Sequence, residues 1–176
     1  MLYLAILLCL VLAYAANQGY FYWKRRKLLQ RSWGDILASV QPVNIEGIAE
    51  IADCYLHPSS TQLRLEPTQM WEMVGKFEGL GALKGNAEAM LDLALYAAQW
   101  NSVEGRIVGE MIRRDGVRLN RAIREIEIAT LAQIGNKFAA FELQEVAVTY
   151  HLMRQRLLGL YQVAQLGLYA PLVEKV

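Results

Sequence analysis

Residues 2–23 constrain this chain more than any other stretch. Leu2 to Ala16 is uncharged and mostly aliphatic, and Asn17, Gln18 and Gly19 interrupt the run. Tyr20, Phe21, Tyr22 and Trp23 then lead directly into Lys24, Arg25, Arg26 and Lys27. As a helix, residues 2–23 reach roughly 33 Å at about 1.5 Å per residue, which matches a bilayer core of about 30 Å. The order apolar, aromatic, basic is the one a membrane boundary selects. Aromatic rings sit at headgroup level, and the cations stay in water beside anionic lipid. The sequence therefore predicts a transmembrane anchor at 1–23, with Tyr20, Phe21, Tyr22 and Trp23 as its interfacial rings. Lys24, Arg25, Arg26 and Lys27 are its contacts to anionic headgroups.

The distribution of Lys and Arg sets the expected topology. None precedes the apolar run, and four follow it within four residues. The positive-inside rule then leaves the N-terminus outside and the following domain in the cytoplasm, as a single-pass protein. Ala13-Tyr14-Ala15 before Ala16 supports a competing reading, a signal peptide cleaved at Ala15–Ala16 that yields a secreted helical binding module. No basic residue precedes the apolar core, which favours the uncleaved anchor. The two cysteines, Cys9 and Cys54, lie in the anchor and in the following domain, so no disulfide framework is expected.

Of 176 residues, those after the anchor suffice for one compact domain. Helical periodicity dominates them and no convincing strand pattern appears. The reading is all-α: one N-terminal transmembrane helix, a basic juxtamembrane helix and linker over 24–43, and a bundle of about five helices over 44–176. Lys24 to Val40 is expected to continue as helix until Pro42. Asn44 is placed to cap a helix over 45–56 whose Ile48, Ile51, Ala52 and Tyr55 recur at helical spacing. Pro67 opens the next helix. Gly79, Gly81 and Gly85 read as a helix-to-helix turn, and Asn86 as the N-cap of an apolar helix over 87–100. Asn101 with Glu104 resembles a capping box for a long helix to about Ile134. A last helix runs from about Lys137 to Tyr169 and ends before Pro171. Residues 157–173 carry no charge, so they belong either in the core or against membrane or partner. Trp71 and Trp100 are expected in the core.

Motifs for catalysis are missing. The glycines at 79–85 follow a helix, not a strand, and match no phosphate-binding spacing. Asp53, Cys54 and His57 share a helical face, but zinc needs three or four ligands and the only other histidine is His151. No cofactor or metal is expected, and an enzyme would need an unmarked helical site.

The helix after Asn101 carries the strongest signal. Arg106, Arg113, Arg114, Arg118, Arg121 and Arg124 fall within roughly 140° of arc at 100° per residue. Val108, Ile112, Leu119, Ile123 and Ile126 form an apolar sector, with Gly105, Gly109 and Gly116 on its edge as a place for close helix contact. Glu110–Arg114 and Arg121–Glu125 are spaced to pair along the helix. The arginines lack interleaved aromatics, which disfavours nucleic acid. The expected role is a membrane-tethered adaptor or small subunit of a membrane complex. It would bind a protein partner or a second copy of itself through helix contacts and the arginine face.

Overall fold

The computed structural model describes residues 31–57, 65–100, 103–131, 139–164 and 167–176. The expected anchor at 1–23 and the cluster Lys24–Lys27 lie outside them. Among the described residues, no helix is long and apolar enough to cross a membrane. These residues form an all-α bundle without strands, of seven helices where the sequence suggests about five. They are α1 (Trp33–Ala38), α2 (Ile45–Leu56), α3 (Pro67–Val74), α4 (Lys76–Ala97), α5 (Glu104–Leu131), α6 (Ala139–Val163) and α7 (Tyr169–Lys175).

α1 corrects the expectation of one helix from 24 to 40. Ser32 is extended (φ −72°, ψ 153°) and starts a new helix with a reciprocal capping box. Asp35 N–H donates to Ser32 Oγ at 3.1 Å, and Ser32 N–H donates to Asp35 Oδ2 at 3.1 Å. Two backbone donors that a helix start leaves unpaired are satisfied at once. The segment expected as linker lies in the core instead, with Ile36, Leu37 and Val40 buried. α2 begins at Asn44 as expected, its Oδ1 accepting from Gly47 N–H at 3.0 Å, and α3 has Pro67 in its first turn.

The break after α3 falls at Gly75, not over 79–85. Gly75 is left-handed (φ +86°) and ends α3, and α4 then runs unbroken through Gly79, Gly81 and Gly85. Of these three helical glycines, only Gly79 has a steric reason to be glycine. A Cβ there would collide with the Val74 carbonyl oxygen, whereas one on Gly81 would meet nothing and one on Gly85 only the end of Gln41. Leu80, Leu83, Ala87, Met90 and Leu93 bury the inner side of α4, and that packing outweighs about 1 kcal/mol of helix propensity lost per glycine.

Asn86, expected to cap, is instead fully buried in mid-helix. Its Oδ1 accepts from Gln41 N–H at 2.7 Å, and its Nδ2 donates to Gln41 C=O at 2.8 Å and to Tyr150 Oη at 3.2 Å. The amide thus pairs with one residue of backbone as a neighbouring strand would, and satisfies a segment that has no helix of its own.

α6 is the hub: it packs against α2, α3, α4, α5 and α7, most extensively against α5. Side-chain pairs give the directions. Gly105 abuts Ala98 and Gly109 faces Leu95, so α4 and α5 are antiparallel. Asp115 pairs with Arg156 and Gly116 faces Met153, so α5 and α6 are antiparallel as well. The fully buried Tyr161 Oη donates to the Leu93 carbonyl at 3.0 Å and accepts from Trp33 Nε1–H at 3.1 Å. Trp33 therefore sits level with Leu93 while Gln41 sits level with Asn86, and the α1 strap runs down α4 in the opposite direction.

The uncharged stretch 157–173 divides between core and surface. Leu157, Leu160, Tyr161 and Leu172 are buried, while Val163 and Val173 are exposed. α6 stops at Val163, and Pro171 is accommodated in the first turn of α7, where a helix needs no N–H. Tyr161 is thereby a core residue and no surface anchor.

Two substitutions in α4 separate its mid-helix character from the turn that the sequence suggests. Gly81→Ala with Gly85→Ala should raise unfolding free energy by about 0.5–1 kcal/mol per site. Asn86→Ser, harmless in a cap, should cost about 2–3 kcal/mol by stranding Gln41 and Tyr150. Urea denaturation of the purified chain measures both.

Candidate interaction face

The 28 residues of α5 present two unlike sides. The inner side buries Ile112, Leu119, Ala122, Ile123 and Ile126 against α4 and α6. Asp115, also buried, pairs with Arg156 of α6 and fixes the rotation of α5 about its axis. A buried pair of this kind contributes less net stability than orientation, because removing either partner leaves a charge without compensation.

That rotation turns all six predicted arginines outward: Arg106, Arg113, Arg114, Arg118, Arg121 and Arg124 are exposed. Glu110 accepts from Arg113 through both carboxylate oxygens at 2.8 Å, and from Arg114 Nε–H at 3.0 Å. Arg121 Nε–H donates to Glu125 at 2.8 Å. The hydrogen bonds from Arg113 and Arg114 hold the Glu110 carboxyl down to about 2, and Glu125 raises the pKa of Arg121. Arg118 and Arg124 make no ion pair among the described residues. The flank is therefore part neutralised and part available.

Sequence reasoning missed the apolar component of this face. Val103, Ile107, Met111, Val117 and Ile128 are all exposed, interleaved with the arginines, and Val117 is 60% accessible. Placing every apolar residue on the same helical projection as the arginines would have found them, because Val103, Ile107, Val117 and Ile128 share that arc and Met111 lies at its edge. Trp100, expected in the core, is 68% exposed just before α5. The hairpin turns there, so among the described residues α4 has no neighbour left to cover it. Trp71 is partly buried and meets Phe77 edge-to-face at 4.9 Å.

The three glycines are not equivalent. A Cβ on Gly105 would lie 2.5 Å from Ala98 Cα, a backbone atom that cannot yield. On Gly109 it would meet Leu95 Cδ2 at 3.6 Å, and on Gly116 Met153 Cε at 3.9 Å, both ordinary contacts. All three face helices of the same chain. Gly105 alone is required for a close backbone approach, and it closes the α4–α5 hairpin.

Other polar groups form pairs without a ligand set. His57, with its proton on Nδ1, donates to Asp53 Oδ1 at 2.9 Å in the expected i,i+4 pair, and Gln155 Nε2 donates to His151 Nε2 at 2.7 Å. Burial lowers the His151 pKa, reinforced by Arg154 and opposed by Asp53. Among the described residues, no three His, Cys, Asp or Glu side chains converge as a metal site. A cleft of about 220 Å³ lies between α3, the start of α4, α5 and α6, walled by Trp71, Phe77, Ile126 and Leu143. It is smaller than sites that enclose a drug-sized ligand, typically about 300–1,000 Å³. The broad outer side of α5 is the larger chemical feature. The expected interfacial residues Tyr20 to Lys27 lie outside the described residues.

Gly105→Ala should destabilise the bundle by more than about 2 kcal/mol through forced separation of α4 and α5, whereas Gly109→Ala should be neutral or slightly stabilising. Thermal unfolding compares them. Glu110 should titrate near 2, as read by carboxyl NMR shifts. A depressed carboxylate pKa stabilises the fold above the unfolded value, about 4.3, and that contribution disappears as pH falls through 2. Compared with known proteins, the chain matches no family model, no curated protein and no solved structure, so no residue role carries over from a relative.

Proposed function

We propose that this chain is a membrane-tethered helical adaptor, or a small subunit of a membrane complex, whose working surface is the outer flank of α5. The observation that carries this reading is the composition of that flank. Arg118 and Arg124 lie beside Val117 and Ile128, all exposed. Arginine and aliphatic side chains together favour a protein partner with an acidic, partly apolar surface. The tether rests on the sequence of 2–27, which would hold the domain on the cytoplasmic side with Lys24–Lys27 against anionic headgroups. Tethering raises the effective concentration for any partner in the same membrane to about millimolar, so modest contacts are enough.

The test combines membrane retention with site-directed crosslinking. The full chain should resist carbonate extraction and start at its first residue, with its C-terminus reached by protease only from the cytoplasmic side. A photoreactive residue at Val117 should give one discrete adduct in native membranes. Arg118→Glu with Arg124→Glu should reduce that adduct about tenfold, equivalent to about 1.4 kcal/mol, without changing thermal stability. An adduct indifferent to the charge reversal would overturn the proposed flank. A chain that begins at Ala16 and leaves the membrane would overturn the tether.

A further inference from the structure

The direction of the α1 strap fixes which end of the bundle the preceding chain leaves from. Trp33 is level with Leu93 through their shared contact with Tyr161, and Gln41 is level with Asn86. Moving back from Trp33 to Arg31 therefore leads toward the C-terminal end of α4. Trp100 lies only about 10 Å beyond Leu93 at helical rise. The same end holds the start of α5, with Val103 and Ile107. The antiparallel register of α5 and α6, marked by Gly116 against Met153, carries Val163 to the level of Arg106. One pole of the bundle thus gathers the exit of the leader and four exposed apolar side chains: Trp100 (68%), Val103 (59%), Ile107 (56%) and Val163 (64%).

We propose that this pole docks end-on into the headgroup layer of the bilayer that holds the leader. The inference rests on the tether proposed above and adds an orientation to it. Eight residues separate Trp23 from Ser32, and fully extended they span at most about 29 Å. The pole therefore cannot leave the vicinity of the membrane, while the far ends of α5 and α3 can. Trp100 beside aliphatic residues is the composition that partitions into a membrane interface, apolar on its body and polar at its ring nitrogen. Arg31, exposed at this end, continues the basic series begun by Lys24–Lys27 and favours anionic headgroups. The bundle then stands upright, and the flank around Val117 and Arg118 faces sideways, clear of lipid and open to a partner.

The test uses the full chain with Cys9→Ser and Cys54→Ser, reconstituted in phosphatidylcholine vesicles containing 30% phosphatidylglycerol on the order of cellular anionic content. Val103→Cys and Val117→Cys are compared for reaction with a membrane-impermeant maleimide. Val117 lies about 21 Å further along α5, beyond the headgroup layer. Docking predicts that position 103 reacts at least about tenfold more slowly than position 117, and that Trp100→Ser with Ile107→Ser abolishes the difference. Both are exposed positions whose replacement leaves the core intact. Protein that fails to float with the vesicles overturns the tether and the docking together. Protein that floats with both positions equally reactive overturns the docking and leaves the tether standing. Equal protection of both positions replaces upright docking with the flank lying on lipid. Protection of position 103 that vanishes when the protein is diluted in excess lipid assigns the pole to a second copy of the chain and also overturns the proposal.

Discussion

Packing of α6 against five other helices is the constraint that orders the rest of this bundle. A helix packed against five others buries hydroxyls that cannot reach water, so these must be matched by a neighbour. Tyr150 Oη meets Asn86, Tyr161 Oη meets both Trp33 and Leu93, and Arg156 meets Asp115. Burial also raises both tyrosine pKa values, Tyr161 to about 12, so both hydroxyls stay neutral: Tyr150 Oη accepts from Asn86 and Tyr161 Oη donates to the Leu93 carbonyl. Each match fixes one partner: α4 through Asn86 and Leu93, α1 through Trp33, α5 through Asp115. Asn86 then extends the chain of dependence to Gln41, whose backbone has no helix to satisfy it. Hydrophobic burial supplies most of the cohesion, but these polar matches select one arrangement of interchangeable apolar helices. An unmatched member would cost about 1–3 kcal/mol, a large share of a marginal total.

Local signals were legible where local physics decides. Asn44 caps α2, and α5 keeps its apolar sector and its Glu110–Arg114 and Arg121–Glu125 pairs, because capping and i,i+4 contacts depend on a few adjacent residues. The errors fall where tertiary packing overrides propensity. Three glycines within seven residues read as a turn, yet Leu80, Leu83 and Ala87 bury enough apolar area to keep them helical. An asparagine before an apolar run is equally suited to a cap or to a buried amide contact, and only the distant Gln41 decides. Trp100 shows the same limit from the other side. A large aromatic normally goes inside, but this one lies where the hairpin reverses and, among the described residues, no element passes over it. The helical projection of α5 did contain the outward aliphatic residues, so that part of the candidate site was readable.

The flank of α5 is better described as mixed than as basic. Glu110 and Glu125 draw three of its arginines into bonds along the helix, which leaves aliphatic side chains as much of its character as charge. Exposed pairs of this sort contribute little to stability. Their effect is to hold long side chains in place, so the surface is presented with less conformational freedom to lose on contact. A surface of that kind keeps part of its affinity at high ionic strength, since screening acts only on the charged fraction.

The path of the chain through the bundle has a consequence for how it is made. Trp33 and Tyr161 are 128 residues apart, yet one rests on the other. α4, α5 and α6 are successive antiparallel neighbours that can close as hairpins soon after each is synthesised. α1, α2 and α3 emerge earlier: α2 and α3 make their most extensive contacts with α6, and α1, which lies on α4, also needs Tyr161. At about 5–20 residues per second, the interval between Trp33 and Tyr161 is on the order of ten seconds. During that interval Ile48, Ile51 and Met70, all buried in the finished fold, lie on helices that still lack the α6 surface they chiefly pack against. Among the described helices, α2 and α3 leave the ribosome early and are enclosed late, and a holding factor that recognises short apolar helices would have its opportunity there.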